Sequence, residues 1–257
     1  MKFHIAQCQM HDIQDLVQAY TCSLSSPIDS YLESHIVKSK FYLVRANDQT
    51  LGYFSIFQDE LLTQFYLHKQ YKYLSQEIFF RVKKMQSIHA AYVPTCDEFF
   101  LSNALDDYKS VNKQAYFFQD SQYSTCIVKK NKDVSLELAK LSDVEIIVKH
   151  SGEFFDKLDE SISRGHIYLA RQGDNLVGFG ILEPGILLKG YVSIGMYTVE
   201  DLRQRGYGTN ILLLLKDIVY GKQLVPIAGC WYYNHNSKRT LENTGMYSET
   251  ILLRISY

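Results

Sequence analysis

The sequence predicts an α/β protein whose mixed sheet is built from two units of similar element order. One observation is that strand-like and helix-like segments follow the same order along each half of the chain. The other is the distribution of glycine: residues 1–130 contain only Gly52, and residues 131–257 contain the other 13. Because glycine permits positive φ angles and close approach to the backbone, chemistry that needs bare backbone is expected in the second half. We therefore predict two domains, 1–130 and 131–257.

The first half shows period-two and helical patterns of apolar residues. In the segment Asp12–Ser23, for example, Ile13, Leu16, Val17 and Tyr20 recur at helical spacing. Residues 46–50 read as the turn of a hairpin. The predicted strands are Phe3–Gln9, Phe41–Arg45, Leu51–Phe57, Leu62–Leu67, Ile88–Val93 and Gln114–Phe118. The predicted helices are Asp12–Ser23, Tyr73–Lys84 and Phe99–Tyr108.

The second half repeats this order, with a hairpin that turns through residues 172–175. The predicted strands are Val134–Leu138, Ile167–Arg171, Leu176–Leu182, Val192–Val199, Ile227–Tyr233 and Thr250–Ser256. The predicted helices are Ser142–Phe155, Asp156–Arg164, Thr209–Tyr220 and Ser237–Asn243.

Composition excludes several classes of protein. The 27 Lys and Arg residues balance 28 Asp and Glu residues, which argues against a dedicated nucleic-acid binder. The longest apolar runs, such as 211–215, are far shorter than the roughly 18 residues of a membrane span, and the first five residues lack the apolar core of a signal peptide. We expect a cytoplasmic protein without a metal site, whose widely spaced cysteines are reduced, buried thiols. These cysteines are Cys8, Cys22, Cys96, Cys126 and Cys230.

The most informative segment runs from Ser193 to Leu212. An apolar strand enters a polar turn that contains Gly206 and Gly208, and a helix with a buried apolar side follows. The start of a helix leaves backbone N–H groups unpaired and carries partial positive charge. Glycines let an anion reach those donors, so this pattern is typical of a phosphate site. Arg203 and Arg205 add full charges and forked donors.

Three phosphate-binding patterns compete for this segment. A P-loop requires a lysine that Gly208-Thr209-Asn210 lacks, and a dinucleotide fingerprint requires a third glycine where Ile211 stands. The segment 203–208, Arg-Gln-Arg-Gly-Tyr-Gly, has instead the form Arg/Gln-x-x-Gly-x-Gly/Ala. Here the chain resembles the GNAT superfamily of acyl-CoA-dependent N-acetyltransferases, whose diphosphate loop has this pattern. The local alternative is an ordinary strand-to-helix turn with surface arginines.

A second segment strengthens the resemblance. Asn234 and Ser237, a short helix, and then Gly245 and Met246 match the GNAT pattern Asn-x-x-Ala/Ser, helix, Gly-Phe, with Met in place of Phe. The two segments occur in the family's order, separated by one helix and one strand. The resemblance therefore covers residues 131–257 and implies a GNAT-type fold there.

What the resemblance implies is a binding mode for acetyl-CoA as cosubstrate. The strand that contains Met196 would pair with the pantetheine arm through its backbone, and a bulge near Val199 and Glu200 would splay it from the next strand. Amides of residues 204–209 would hold the diphosphate. The implied binding residues are Met196, Tyr197, Thr198, Arg203, Gln204, Arg205, Gly206, Tyr207, Gly208, Thr209, Asn234 and Ser237.

The acid and base of the implied reaction are less well defined by the sequence. Many members have a proton-donating tyrosine seven residues after the motif Asn, where this chain has Leu241. We predict Tyr233 as the acid, with Tyr232, Tyr247, Ser237 or a water as alternatives. We predict Glu183, at the end of an apolar strand, as the base. The alternatives are Glu200, Asp201, His166 and His235.

The repeated element order makes residues 1–130 a suspected second, degenerate GNAT-like domain. Its segment 65–74, which matches the loop, contains no glycine, so a diphosphate could not nest there. We expect an N-acetyltransferase that transfers acetyl directly from acetyl-CoA to a primary amine of a small molecule or protein. The alternatives are a non-catalytic acyl-CoA-binding sensor or scaffold, and a transferase of aminoacyl or long-chain acyl groups.

Overall fold

The computed structural model describes residues 2–85, 88–121 and 133–257. Each half has the element order that the sequence predicts, and the first half contains one further helix. The strands of the first half are β1 (His4–Cys8), β2 (Lys40–Ala46), β3 (Gln49–Phe57), β4 (Leu61–Leu67), β5 (Ala90–Pro94) and β6 (Ser110–Asp120). Its helices are α1 (Gln14–Ser23), α2 (Ser30–Val37), α3 (Ser75–Lys83) and α4 (Glu98–Ala104).

The second half repeats these elements. Its strands are β7 (Val134–Leu138), β8 (Ile167–Gln172), β9 (Asn175–Pro184), β10 (Tyr191–Thr198), β11 (Val225–Trp231) and β12 (Met246–Ser256). Its helices are α5 (Val144–Ser151), α6 (Leu158–Ser163), α7 (Tyr207–Gly221) and α8 (His235–Glu242). Among the described residues there is no helix both long and apolar enough to cross a membrane.

Helix α2 is the element that the sequence analysis missed. Asp29 caps it, since its side chain accepts a hydrogen bond from the Leu32 N–H, and Leu32 and Ile36 are buried one turn apart. An N-cap carboxylate followed by apolar residues at this spacing is a recognisable start signal, although the helix has only eight residues.

All twelve strands of the described residues form one sheet, in the order β1-β2-β3-β4-β5-β12-β6-β11-β10-β9-β8-β7. The two halves exchange their last strands. β12 pairs with β5 of the first half, and β6 pairs with β11 of the second half, while β6 and β12 pair with each other. The halves therefore share a continuous sheet. The predicted boundary at residues 130 and 131 lies outside the described residues and stays a prediction.

A buried ion pair also joins the halves. Lys216 of α7 donates to Asp120 Oδ1 on β6 at 2.9 Å and to the Thr244 carbonyl at 2.8 Å. Tyr220, one turn later on α7, donates to the other oxygen of Asp120. A pair that is held by this many hydrogen bonds offsets much of the cost of burying its charges.

Each half has one parallel pair of strands, β4–β5 and β10–β11, and in the second half the two strands diverge to form a cleft. β10 and β11 are paired only from Tyr191 opposite Val225 to Ser193 opposite Ile227. Beyond that point β10 stays on β9 as far as Thr198, whereas β11 stays on β6 as far as Trp231. The register of β10 on β9 is continuous through Thr198, and the expected bulge near Val199 and Glu200 lies beyond these paired residues and stays a prediction. The two strands diverge because each follows its antiparallel neighbour.

Helices cover both faces of the sheet beside this cleft. On one face, α7 buries Ile211, Leu212, Leu215 and Val219 against β9, β10 and β11. On the other face, α2 of the first half packs on β3, β4 and β11. The β10–β11 cleft is therefore bordered by elements from both halves.

The described cysteines are free thiols in different surroundings. Cys96 is buried, Cys8 and Cys230 are half-buried, and Cys22 is exposed, so the expectation of burial is wrong for Cys22. Cys126 lies outside the described residues. Burial is the main cause that raises the pKa of the Cys230 thiol to about 11.

Candidate functional site

The glycine loop forms the start of α7. Gly206 is the N-cap residue with a φ of +85°, and Gln204 also has a positive φ of +62°. The amide of Asn210 donates to the Gly206 carbonyl at 3.1 Å, so the amides of residues 207–209 precede the first helical hydrogen bond. The loop thus has the donors that an anion requires, where the sequence predicts them.

Gly208 brings this loop against the end of β10. A Cβ atom there would lie 3.2 Å from Met196 Sδ and 3.2 Å from Thr198 Oγ1. Such contacts are tighter than most Cβ contacts in proteins, so a side chain at Gly208 would require Met196 and Thr198 to shift. Gly208 is therefore the glycine of the loop whose replacement has a defined steric effect.

Several side chains of the loop are already engaged. Arg203 pairs with Glu200 at 3.4 Å and donates to the Tyr197 hydroxyl at 3.4 Å. The Tyr207 hydroxyl donates to Gln172 Oε1 at 2.6 Å, which holds that side chain on β8. The Tyr197 hydroxyl donates to the His150 carbonyl. Because both hydroxyls already donate within the protein, Tyr197 and Tyr207 would contact a ligand through backbone rather than side-chain groups.

A cavity of about 320 Å³ occupies the β10–β11 cleft. It contains four of the predicted site residues, Glu183, Met196, Asn234 and Ser237. The remaining predicted residues are not among its lining. The lining residues are Asp29, Ser30, Tyr31, Phe154, Ile181, Glu183, Ser193, Ile194, Gly195, Met196, Leu212, Gly229, Cys230, Trp231, Asn234, Ser237 and Leu241.

Asn234 and Ser237 are held by the first turn of α8. Asn234 is the N-cap residue, and its Oδ1 accepts a hydrogen bond from the Ser237 amide at 3.1 Å. Leu241, one turn further on, is buried and lines the cavity. The position at which the resemblance implies a proton-donating tyrosine is therefore an apolar part of the wall.

The predicted acid lies beside the cavity rather than in its wall. Tyr233 is 54% exposed, and its ring packs edge-on against Trp231, with 5.2 Å between ring centroids. Tyr232 stacks on Tyr116 at 4.5 Å and accepts a hydrogen bond from Lys113 Nζ at 3.1 Å. Hydrogen bonds from Tyr116 and then Lys113 lower the Tyr232 pKa.

The predicted base, Glu183, faces residues that the sequence analysis did not identify. Ser30 Oγ donates to Glu183 Oε2 at 2.6 Å and lies 3.2 Å from Ser193 Oγ. Ser30 is the first residue of α2, so the contact joins the two halves. Burial lowers the pKa of His166, while the charge of Glu183 opposes that shift.

Asp29 is the second carboxylate of the cavity. It is 5% exposed, and its Oδ1 accepts the Leu32 amide at 2.9 Å. Its Oδ2 lies 1.9 Å from the position that a Cβ atom would take at Gly229. Burial raises the pKa of Asp29 to about 7, the Leu32 amide opposes this, and the charges of Glu183 and Glu33 add to it.

Glu33 has a different task one turn further along α2. Its Oε1 accepts the amides of Leu187 at 2.7 Å and Leu188 at 3.1 Å, which holds the loop between β9 and β10. Within the described residues there is no group of three or more His, Cys, Asp or Glu placed to hold a metal ion.

Comparison with known proteins agrees with this geometry. The family model described as an acetyltransferase (GNAT) domain matches residues 9–121. An acetyltransferase from the GNAT family of Colwellia psychrerythraea has a TM-score of 0.88 at 17% identity, over 99% of both chains. Residues 9–121 thus match a GNAT acetyltransferase domain, and the chain as a whole has a GNAT-type fold. No curated protein matches it.

Two further structures share the GNAT fold over the full length. A tandem GNAT protein from the clavulanic acid biosynthesis pathway covers 100% of this chain and 98% of its own, with a TM-score of 0.64 at 10% identity. A GCN5-related N-acetyltransferase from Sphaerobacter thermophilus covers 99% of this chain and 95% of its own, with a TM-score of 0.64 at 12% identity. The GNAT-type fold expected for the second half is thus confirmed, and the GNAT family match falls on the first half.

Proposed function

We propose that the protein is an N-acyltransferase that transfers an acetyl group directly from acetyl-CoA to a primary amine of a small molecule or protein. One observation carries this proposal: the β10–β11 cleft connects Met196, which borders the glycine loop, with the carboxylates of Glu183 and Asp29 in a single cavity. A thioester donor and a cationic acceptor could meet there. We place the activity in the cytoplasm, in line with the free thiols of the described residues.

The residues present fit acetyl-CoA. The amides of residues 204–209, with Arg203 and Arg205, would hold the diphosphate at the start of α7. The backbone of Met196, Tyr197 and Thr198 lies beyond the last β10–β11 pair and would hold the pantetheine arm. Asn234 and Ser237 border the cavity on the α8 side. When bound, acetyl-CoA supplies an activated thioester.

The chain's own groups orient the amine and move protons. Glu183 is the proposed base for the nitrogen, held by Ser30 at 2.6 Å. Tyr233 is the proposed proton donor to the departing sulfur. Orientation of amine and thioester in one cavity supplies much of the rate by itself, because effective molarities of well-positioned groups are large.

A second candidate function is a non-catalytic acyl-CoA-binding protein. The observation that favours it is Leu241, a buried apolar residue where many relatives have a proton-donating tyrosine. That protein would bind acetyl-CoA and release no thiol with any amine of a broad panel. Turnover with one amine contradicts it.

The test of the binding mode is Gly208→Val. A side chain there meets Met196 and Thr198, so we expect the acetyl-CoA affinity in isothermal titration calorimetry to fall about 100-fold, equivalent to about 2.7 kcal/mol. The matched control is Gly221→Val at the other end of α7, where a Cβ would meet no atom within 4 Å. Equal affinity of the Gly208 variant and the wild type would contradict the proposed loop.

A further inference from the structure

The inference concerns the acceptor side of the cavity and rests on the proposed function. Asp29 belongs to the first half, yet it lines the cavity formed by β10 and β11 of the second half. Gly229 permits this approach, because a Cβ there would lie 1.9 Å from Asp29 Oδ2 and 2.8 Å from its Cγ. Because Gly229 has no side chain, β11 leaves space at the point where the Asp29 carboxylate lies against it.

The three acidic groups of this region have separate roles. Glu33 is used by the amides of Leu187 and Leu188, and Glu183 is bound by Ser30. Asp29 uses Oδ1 to cap α2, and Oδ2 is the oxygen that lies over Gly229. A cap requires only one oxygen. The second oxygen of Asp29 therefore has no role in capping α2 and lies where Gly229 leaves room for it, in a residue that lines the cavity.

The other residues that line the cavity indicate which kind of ligand could bind there. Among the described residues that line the cavity, two carry carboxylates and none is Lys or Arg, which favours a cationic ligand. Tyr31, Phe154 and Trp231 line the same cavity and are 48%, 51% and 60% exposed. Aromatic surface left open at the edge of a cavity is typical of a binding site for an apolar group.

We propose that Asp29 binds the ammonium group of the acceptor and accepts its first proton, and that the acceptor is a primary amine attached to an apolar group. The ammonium nitrogen gives one proton to Asp29 Oδ2, and its freed lone pair then forms the N–C bond with the thioester carbonyl carbon. Glu183 takes the second proton from nitrogen. The C–S bond breaks, sulfur keeps the electron pair, and the thiolate takes a proton from Tyr233.

The environment of Asp29 predicts the pH dependence. The groups that act on it are Glu33 on α2, Glu183 on β9, Cys230 on β11 and the Tyr31 hydroxyl. Because burial raises the pKa of Asp29 to about 7, the accepting carboxylate forms as pH rises through that value. We expect kcat/KM for the amine to rise with pH across this window.

The test compares Asp29→Asn with Glu33→Gln in the full chain, with acetyl-CoA and phenethylamine, hexylamine or ethanolamine as probes. Asparagine preserves the volume and the cap of α2. We expect kcat/KM of Asp29→Asn to fall about 100-fold or more, as for loss of an acid–base group, and the limb near pH 7 to disappear. Acetyl-CoA affinity should stay within about twofold, since the diphosphate sites are untouched. Glu33→Gln removes the same charge but keeps a side-chain oxygen that can accept the Leu187 and Leu188 amides, so activity should stay within about threefold.

The outcomes separate the two proposals. A wild type that binds acetyl-CoA but acetylates no probe contradicts the proposed function and this inference with it. A wild type that acetylates phenethylamine, with Asp29→Asn unchanged in rate and pH profile, overturns the inference alone. Ethanolamine used as well as phenethylamine overturns the assignment of an apolar acceptor.

Discussion

The two clefts of the sheet occupy matched positions, and only one is open. Met196 lies two residues before Thr198, which pairs with Gly178 on β9. In the same way, Phe65 lies two residues before Leu67, which pairs with Gly52 on β3. Met196 lines the cavity, whereas Phe65 is fully buried. The difference teaches that one backbone can carry a binding cleft or a solid core, depending on a few side chains.

Aromatic rings fill the cleft of the first half. Phe65 stacks on Phe99 at 5.6 Å and packs edge-on against Phe79 at 5.0 Å. The neighbouring strands also differ. Tyr92 is the third residue from the end of β5, and Gly229 is the third residue from the end of β11. A buried tyrosine stands where the second half has bare backbone. Packed rings leave no room for a pantetheine arm.

The segments after these clefts differ in the same way. In the second half, Gly206 takes a φ of +85° and starts α7 with free space around it. In the first half, the corresponding segment is a tight 3-10 turn at Lys69–Leu74, without glycine, before α3. These observations support the prediction that the first half is a degenerate domain without a nucleotide site.

The largest expected effect comes from exchanging the matched residues for alanine. Phe65→Ala should lower the free energy of unfolding by about 3–5 kcal/mol, because it leaves a cavity in a packed core, with unchanged acetyl-CoA affinity. Met196→Ala should cost about 1 kcal/mol, because Met196 already borders a cavity, and weaken acetyl-CoA binding. Chemical denaturation and calorimetry measure the two quantities. Equal loss of stability in both variants would remove the distinction between the clefts.

A smaller effect is expected at the two helix caps that follow the clefts, Asp97 of α4 and Asn234 of α8. Burial raises the Asp97 pKa from 3.8 to about 6. The folded state therefore holds a proton that the unfolded state releases, and stability falls as pH rises from about 4 to 6. Asp97→Asn removes this loss and retains the cap. The free energy of unfolding of Asp97→Asn should exceed that of the wild type by on the order of 2 kcal/mol at pH 8 and equal it at pH 4.

The control for this prediction is Asn234→Asp. Asn234 is exposed, so a carboxylate there remains solvated and should change stability by less than about 0.5 kcal/mol at either pH. Denaturation of both variants at pH 4 and pH 8 gives the four values required. A Tm difference between wild type and Asp97→Asn that does not vary with pH contradicts the assignment.

The smallest effect is expected at the rim of the open cleft. Arg203 is exposed, so Arg203→Ala should change the free energy of unfolding by no more than about 0.5 kcal/mol. Its loss should weaken acetyl-CoA binding about threefold to tenfold at low salt, and less as salt screens the charge. Titration calorimetry at two salt concentrations measures this. Arg164→Ala, which removes an exposed pair with Glu160 on α6, serves as control and should leave affinity unchanged.

Local signals in the sequence predicted most elements and the loop. Gly206 and Gly208, the following apolar helix and the cap at Asn234 are each recognisable within a few residues, because turns, caps and helical periodicity are local properties. The short helix α2 was missed, and with it Asp29 and Ser30. The predicted base Glu183 does line the cavity, whereas the predicted acid Tyr233 lies outside its wall.

What the sequence by itself determined is the order of strands and helices, the position of the bare-backbone loop, and the absence of such a loop from the first half. Only the tertiary structure decided that β6 and β12 are exchanged and that Asp29 meets Gly229, 200 residues later in the chain. The reason is physical. Backbone conformation follows from neighbouring residues, whereas a contact between distant segments depends on which strands pair when the whole sheet is assembled.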